Sequence, residues 1–270
     1  MKLVTVAICW NEEHLLPYYL RHYEQYADKM IIFDNYSDDN SAEIIRAHPK
    51  AELRFFDTNG ESREDMEIDV KNFAPIIGRK EDADWVIVGD MDEFVWHEDL
   101  VGHLMALNAA GITVPYASYY HMVTPEFPTT TTQIYDQVTH GVRAQSKHMV
   151  FACSGVARMN YGPGCHYCRP GGSNVTFGPH KFEWHGDTTL CGSPHGLKIL
   201  HARFLGADWT VNRFKDLAQR KSTNDKLNGF GEQYFIDRQE LYHVFEQFEE
   251  AAQPVFGDGP DGFYFHESFV

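Results

Sequence analysis

The chain has 270 residues, of which 43% are apolar and 14% aromatic, and a formal charge of −16. That is enough for one large domain or two small ones with a sizeable core. The acidic balance argues against nucleic acid as a main partner, since phosphate backbones need basic patches, and against docking on anionic lipid through general charge.

Leu3 to Cys9, rich in β-branched residues, predicts a first strand. The stretch from Met1 to Trp10 has one lysine and no small-residue cleavage site, and it runs straight into Asn11-Glu12-Glu13, unlike a signal peptide. A helix is expected over Glu12 to Tyr26, with Leu15, Leu16, Tyr19, Leu20 and Tyr23 as its apolar face. Met30 to Phe33 is the second strand. The polar turn Asp34 to Ser41 then offers N-caps for a helix from Ala42 to Ala47. Leu53 to Phe56 is the third strand. Glu64 to Ile77 reads as a helix that Pro75 should kink or end. Trp85 to Val88 is the fourth strand, and it ends in three carboxylates, Asp90, Asp92 and Glu93.

This βαβαβαβ pattern implies α/β class, with a mainly parallel sheet and helices on both faces. Ligands of such sheets bind beyond the carboxyl ends of the strands. Asn11-Glu12, Asp34 to Asp39 and Asp90 to Glu93 all follow strands, so they should gather along one edge. Clustered carboxylates repel one another and resist burial, which calls for a cation. Asp90 and Asp92 point the same way if the strand stays extended, and two hard oxygen ligands suit Mg²⁺ or Mn²⁺ on a substrate's phosphates. The plainer alternative is an acidic turn capping the next helix.

From Gly111 onward the pattern changes. Val138 to Ala157 suggests further strands, with Lys147 and His148 among them. Tyr161 to Gly196 is rich in Gly, His, Pro and Cys and reads as long loops of the kind that carry function. Leu197 to Phe204 is apolar with His201 and Arg203 inside it, and Asp208 to Lys221 and Gln233 to Ala252 look helical. No apolar stretch approaches the ~20 residues of a membrane span. Five cysteines, an odd number, without a leader suggest reduced thiols and a cytoplasmic setting. Cys165-His166-Tyr167-Cys168 is a lone C-x-x-C, either a structural zinc site with nearby Cys and His residues or simply a cysteine-containing loop.

Three segments in order, Cys9-Trp10-Asn11-Glu12, Asp34-Asn35-Tyr36-Ser37-Asp38 and the strand ending in Asp90-Met91-Asp92-Glu93-Phe94, carry a resemblance. The chain resembles nucleotide-sugar-dependent glycosyltransferases of GT-A fold, in the family 2-like group and the related family 92, with a D-x-D-E-F signature. Lys147, His166 and Leu200-His201-Ala202-Arg203-Phe204 resemble the lysine and histidines of that group's acceptor half. The resemblance implies a donor-binding half over 1–110, an acceptor-binding and metal-completing half over 111–232, and a C-terminal helix and tail over 233–270.

It further implies metal-dependent transfer of a sugar from a nucleotide-diphosphate donor, with UDP the default, to a hydroxyl of a glycan or other acceptor. Asp90 and Asp92 would hold Mn²⁺ or Mg²⁺ on the diphosphate. His201 would complete the metal shell or else be a core histidine. Asn11, Glu12, Asp34 and Asn35 would line the donor pocket, although Asp34 and Asp38 also suit helix capping. Arg63, Lys71 or Lys147 would reach the base or phosphates. Inversion needs a carboxylate base for the acceptor hydroxyl. Asp187 in Trp184-His185-Gly186-Asp187 is favoured over Glu183 and over Asp208, which also suits a helix N-cap. His166 and Trp184 would meet the acceptor. The competing readings are a metal-dependent nucleotidyltransferase or phosphoester hydrolase, and a non-catalytic nucleotide-sugar-binding module. The first is disfavoured by the lack of a Gly-rich phosphate loop with lysine.

Overall fold

The computed structural model describes residues 1–162, 168–178, 181–185, 188–192 and 196–256, with 181–185 and 188–192 described as backbone. In chain order the elements begin β1 (Leu3–Cys9), α1 (Leu16–Tyr23), β2 (Lys29–Asp34), α2 (Ser41–Ala47), β3 (Ala51–Phe55), α3 (Glu64–Asn72), α4 (Ala74–Lys80), β4 (Trp85–Asp90) and β5 (Glu93–Trp96). Next come α5 (Leu100–Ala109), β6 (Ser118–Thr124), β7 (His140–Ala144), β8 (Val150–Ala152), β9 (Lys181–His185) and β10 (Thr188–Gly192). The last are β11 (Lys198–Leu205), α6 (Ala207–Arg220), α7 (Thr223–Leu227), α8 (Arg238–Ala251) and β12 (Gln253–Pro254).

The first sheet runs β3-β2-β1-β4-β8, parallel except for β8, which pairs antiparallel with β4. Its strands β1, β2 and β4 are almost wholly buried because helices cover both faces, while the edge strand β3 is only half-buried. Leu16, Leu20 and Ile45 from α1 and α2 pack with Leu3, Met30 and Ile32 on one face, and Ala74 and Ile77 from α4 pack with Val4, Val6 and Val86 on the other. The fold is therefore α/β, with a mixed, mainly parallel central sheet.

Cys9 pairs with Asp34, and Ile8 with Asp90. These registers bring the three polar clusters to one edge, as parallel strand ends must. At that edge the chain leaves the first sheet, turns at Met91-Asp92 and enters the second as β5. The second sheet, β12-β7-β6-β11-β5, is antiparallel except for the β6–β11 pair. The sheets do not part at residue 110, because β5 joins the second from before that point and β8 joins the first from beyond it. Among the described residues, no helix is long and apolar enough to cross a membrane.

Several expected boundaries move for local reasons. The first helix is shorter than Glu12 to Tyr26, because Pro17 in its first turn lacks an N–H and Glu12 to Leu15 form a turn whose carbonyl at Glu12 accepts from Leu15 and Leu16. Pro75 ends one helix and starts another, dividing α3 from α4 at Phe73. Helix α6 is capped by Gly206, not Asp208. Gly206 has φ +81°, and a Cβ there would lie 2.7 Å from the Phe127 nitrogen, so both conformation and space require glycine. The last expected helix divides into a 3₁₀ turn, Glu232–Phe235, and α8, whose start Asp237 caps.

Candidate active site

A cavity of about 580 Å³ opens where the two sheets meet, roofed by α6 and the segment 229–234. Among the described residues, seven Lys and Arg line it against five Asp and Glu, whereas the whole chain has 23 against 39. The cavity therefore inverts the charge balance of the protein. Concentrated cations in a low-dielectric cleft attract anions.

Its floor is the carboxylate turn. The chain does not stay extended there, so Asp90 and Asp92 engage different cations. Lys71 on α3 lies 2.8 Å from Asp90. Lys147 lies 2.7 Å from Glu93 Oε1 and 4.0 Å from Asp90. Glu93 braces the turn by accepting from the Asp90 backbone N–H at 3.2 Å and from the Tyr119 hydroxyl at 2.8 Å. Burial opposes its charge, but Lys147, His201 and Lys71 outweigh burial and bring its pKa down to about 2.

Asp92 sits 3.2 Å from Arg213 Nη2 and 3.3 Å from His201 Nε2. Burial would raise its pKa; His201, Arg213 and Lys147 hold it below the carboxylate range instead. Arg213 also forks onto Glu12, at 2.8 and 2.7 Å, a bidentate pair of the strong kind. His201 on β11 stands opposite His121 on β6, with the two Nδ1 atoms 3.0 Å apart.

At the other end of the cavity the Arg220 guanidinium lies over the Trp10 ring, 4.0 Å from its centroid. Arg220 donates to the Gly60 carbonyl at 3.3 Å, and the Asn35 amide satisfies its neighbours when its oxygen faces Arg220 at 2.7 Å. Arg213, Leu217 and Arg220 all line the cavity from one face of α6, at i, i+4 and i+7. The sequence reading missed both arginines. The visible signal was their seven-residue spacing on an amphipathic helix.

The expected site residues divide accordingly. Glu12, Asp90, Asp92, Lys147 and His201 line the cavity, as does Lys71. Asn11 and Asp34 do not. Asn11 bonds with Asp38 and with Ser37 Oγ, and Asp34 accepts from the Ser37 backbone N–H at 3.0 Å, so both knit the loops after β1 and β2 together. Arg63 does not reach the cavity either, because Asp65 takes its guanidinium at 2.9 and 2.6 Å. Asp208 is exposed, accepts from the Tyr242 hydroxyl and is not among the residues lining the cavity, and Gly206 rather than Asp208 caps α6.

His166 and Asp187 lie outside the described residues. Glu183 and Trp184 stand on β9, outside the described side chains, in a hairpin whose β10 approaches β6. Cys165 is likewise outside the described residues, while Cys168 is buried beside Met159. Among the described residues, no three His, Cys, Asp or Glu side chains converge to hold a metal.

No protein-family model and no curated protein matches the chain. Solved structures resemble it at low identity. TarS from S. aureus in complex with UDP-GlcNAc aligns over 82% of this chain and 66% of its own, at 9% identity and a TM-score of 0.36. A longer TarS chain aligns over 57% of this chain at 13% identity and a TM-score of 0.35, and a 4-diphosphocytidyl-2C-methyl-D-erythritol synthase over 58%, also at 13% and 0.35. The chain spans 29% of that longer TarS and 47% of TarS 1–349 in complex with UDP. Likeness of this degree does not identify an activity.

Proposed function

We propose that the chain is a glycosyltransferase of the family 2-like or family 92 type. It would move a sugar from a nucleoside-diphosphate donor, with UDP the nucleotide, to a hydroxyl acceptor with inversion. The charge inversion of the cavity carries this reading, since a chain of −16 collects Lys and Arg at the carboxyl ends of β1 and β4. A diphosphate is the anion class that such strand ends take. Arg220 and Lys221 would meet the donor near Trp10, and Glu12 would reach it through the orientation Arg213 imposes.

Asp92 and His201 meet at the cavity wall, and the Asp92 carboxylate is a ligand of the kind Mn²⁺ or Mg²⁺ takes. Diphosphate and water oxygens would complete such a shell, as hard cations prefer. The ion would supply Lewis-acid neutralisation of the departing diphosphate. Asp90, held by Lys71, would act on the donor through a hydrogen bond or a metal-bound water. With Asp208 outside the cavity lining, the base for the acceptor hydroxyl would be Asp187 or Glu183, and His166 and Trp184 would flank the acceptor.

The test is release of nucleoside diphosphate from a panel of sugar nucleotides, with and without Mn²⁺, in wild type and Asp92→Ala. The expected result is UDP release that falls about 100-fold or more in Asp92→Ala, the scale of losing a group that stabilises transition-state charge. Failure of every sugar nucleotide to bind or turn over would sink the reading. Pyrophosphate release from a nucleoside triphosphate would favour a nucleotidyltransferase instead.

A further inference from the structure

Among the described residues, the three cations at the carboxylate turn each have an acidic partner, whereas Arg203 further along the same wall has none. Arg213 is 2.7 Å from Glu12, Lys71 2.8 Å from Asp90 and Lys147 2.7 Å from Glu93. Arg203 lines the same cavity, and no carboxylate among the described residues pairs with it. Its Nη2 is buried with no hydrogen-bond partner. Its guanidinium lies 5.5 Å from the ring centroids of both Phe204 and Phe214. Aromatic contacts satisfy the faces of a guanidinium and leave its in-plane N–H donors to something else.

Ordinary strand alternation puts this residue on the cavity face, since Arg203 is two residues from His201 and both line the cavity. His201 pairs with His121 and Phe204 with Val123, so β11 takes three steps where β6 takes two. The register between the two strands therefore shifts just where Arg203 lies. Arg203 sits two residues past His201 on the second sheet, whereas Trp10, Arg220 and Lys221 belong to the end where β1 stops.

We propose that Arg203 forms a second anion subsite of the cavity, taking a carboxylate or phosphate on the transferred sugar or on the acceptor. The inference rests on the donor reading above for which end holds the nucleotide. It makes the second substrate group anionic, which that reading alone does not require. Two sources share this chemistry, and binding measurements separate them.

UDP, UDP-glucose and UDP-glucuronate are titrated onto wild type, Arg203→Gln and Arg203→Lys, and inorganic phosphate onto the UDP-saturated proteins. UDP itself should bind all three proteins within about threefold, because Arg203 stands apart from the nucleotide end. UDP-glucuronate or phosphate should bind Arg203→Gln at least about tenfold more weakly than wild type, with partial recovery in Arg203→Lys. Loss confined to UDP-glucuronate puts the anion on the transferred sugar, and loss confined to phosphate puts it on the acceptor. Equal binding of both probes by wild type and Arg203→Gln overturns the subsite and leaves Arg203 a stacking residue. If UDP fails to bind wild type, the donor reading fails, and phosphate titrated alone still decides the Arg203 subsite. Arg203→Lys serves as the comparison if Arg203→Gln does not fold.

Discussion

The first sheet takes β1, β2, β3 and β4 from consecutive βαβ units, whereas the second gathers strands from residues 93 to 254. The first supplies the strand ends where a ligand lands. The second supplies His121, His201 and Arg203, and α6 hangs from its β11. Neither sheet holds a complete site. The carboxylates of the β1 and β4 ends are balanced by an arginine reached only after the second sheet is built, and Arg213 touches Glu12 and Asp92 at once. Burial works against its charge, but Glu12 and Asp92 outweigh that and raise its pKa. Charge balance thus couples the two sheets at the site, beside a hydrophobic core that also runs through both.

The largest effect should come from Arg213→Ala. It leaves two buried carboxylates without their shared cation, at a cost of about 3–5 kcal/mol. Urea unfolding should show the loss, and Arg213→Lys should recover only part of it because the bidentate fork is gone. A variant as stable as wild type would mean the sheets do not depend on this ion pair.

A smaller coupling runs through His22 on α1, which is fully buried and bonds the Val95 carbonyl of β5 at 3.0 Å. Burial lowers its pKa to about 4 from 6.5. The unfolded chain therefore binds the proton more readily between those values, so stability present above about pH 6.5 is lost as pH falls towards 4. The full difference amounts to about 3 kcal/mol. Denaturant midpoints across that range should fall less steeply in His22→Phe, and identical slopes would rule the effect out.

Gly206→Ala should come next, at about 2 kcal/mol, because a Cβ there meets the Phe127 backbone in a left-handed conformation. Calorimetry would register it as a lowered Tm, and an unchanged Tm would show that the β11–α6 corner relaxes freely.

Legibility in the sequence followed the range of the interactions. β1, β2, β4 and the turn after β4 could be read because their signals are local, short β-branched runs closed by polar residues. Glu12, Asp90 and Asp92 were placed beyond the strand ends that way, and all three line the cavity. Asp34 and Asn11 were misplaced because a polar residue after a strand can face a ligand or brace its own loop, and only the Ser37 and Asp38 partners decide which. Arg63 was drawn off by a neighbour two residues away. Arg203, Arg213 and Arg220 were missed because a lone arginine on a strand or helix carries no local mark of what it will meet.

The sequence by itself determined the α/β class, the succession of the first four strands along the chain and the edge where the carboxylates collect, because strand periodicity and βαβ connections leave few alternatives. Tertiary structure alone decided which cation meets which carboxylate, since Arg213 and Glu12 lie 201 residues apart and no local pattern encodes their contact. It also decided that Arg203 would stand in the cavity without an acidic partner among the described residues, because that depends on what the other walls bring and on two rings from different elements.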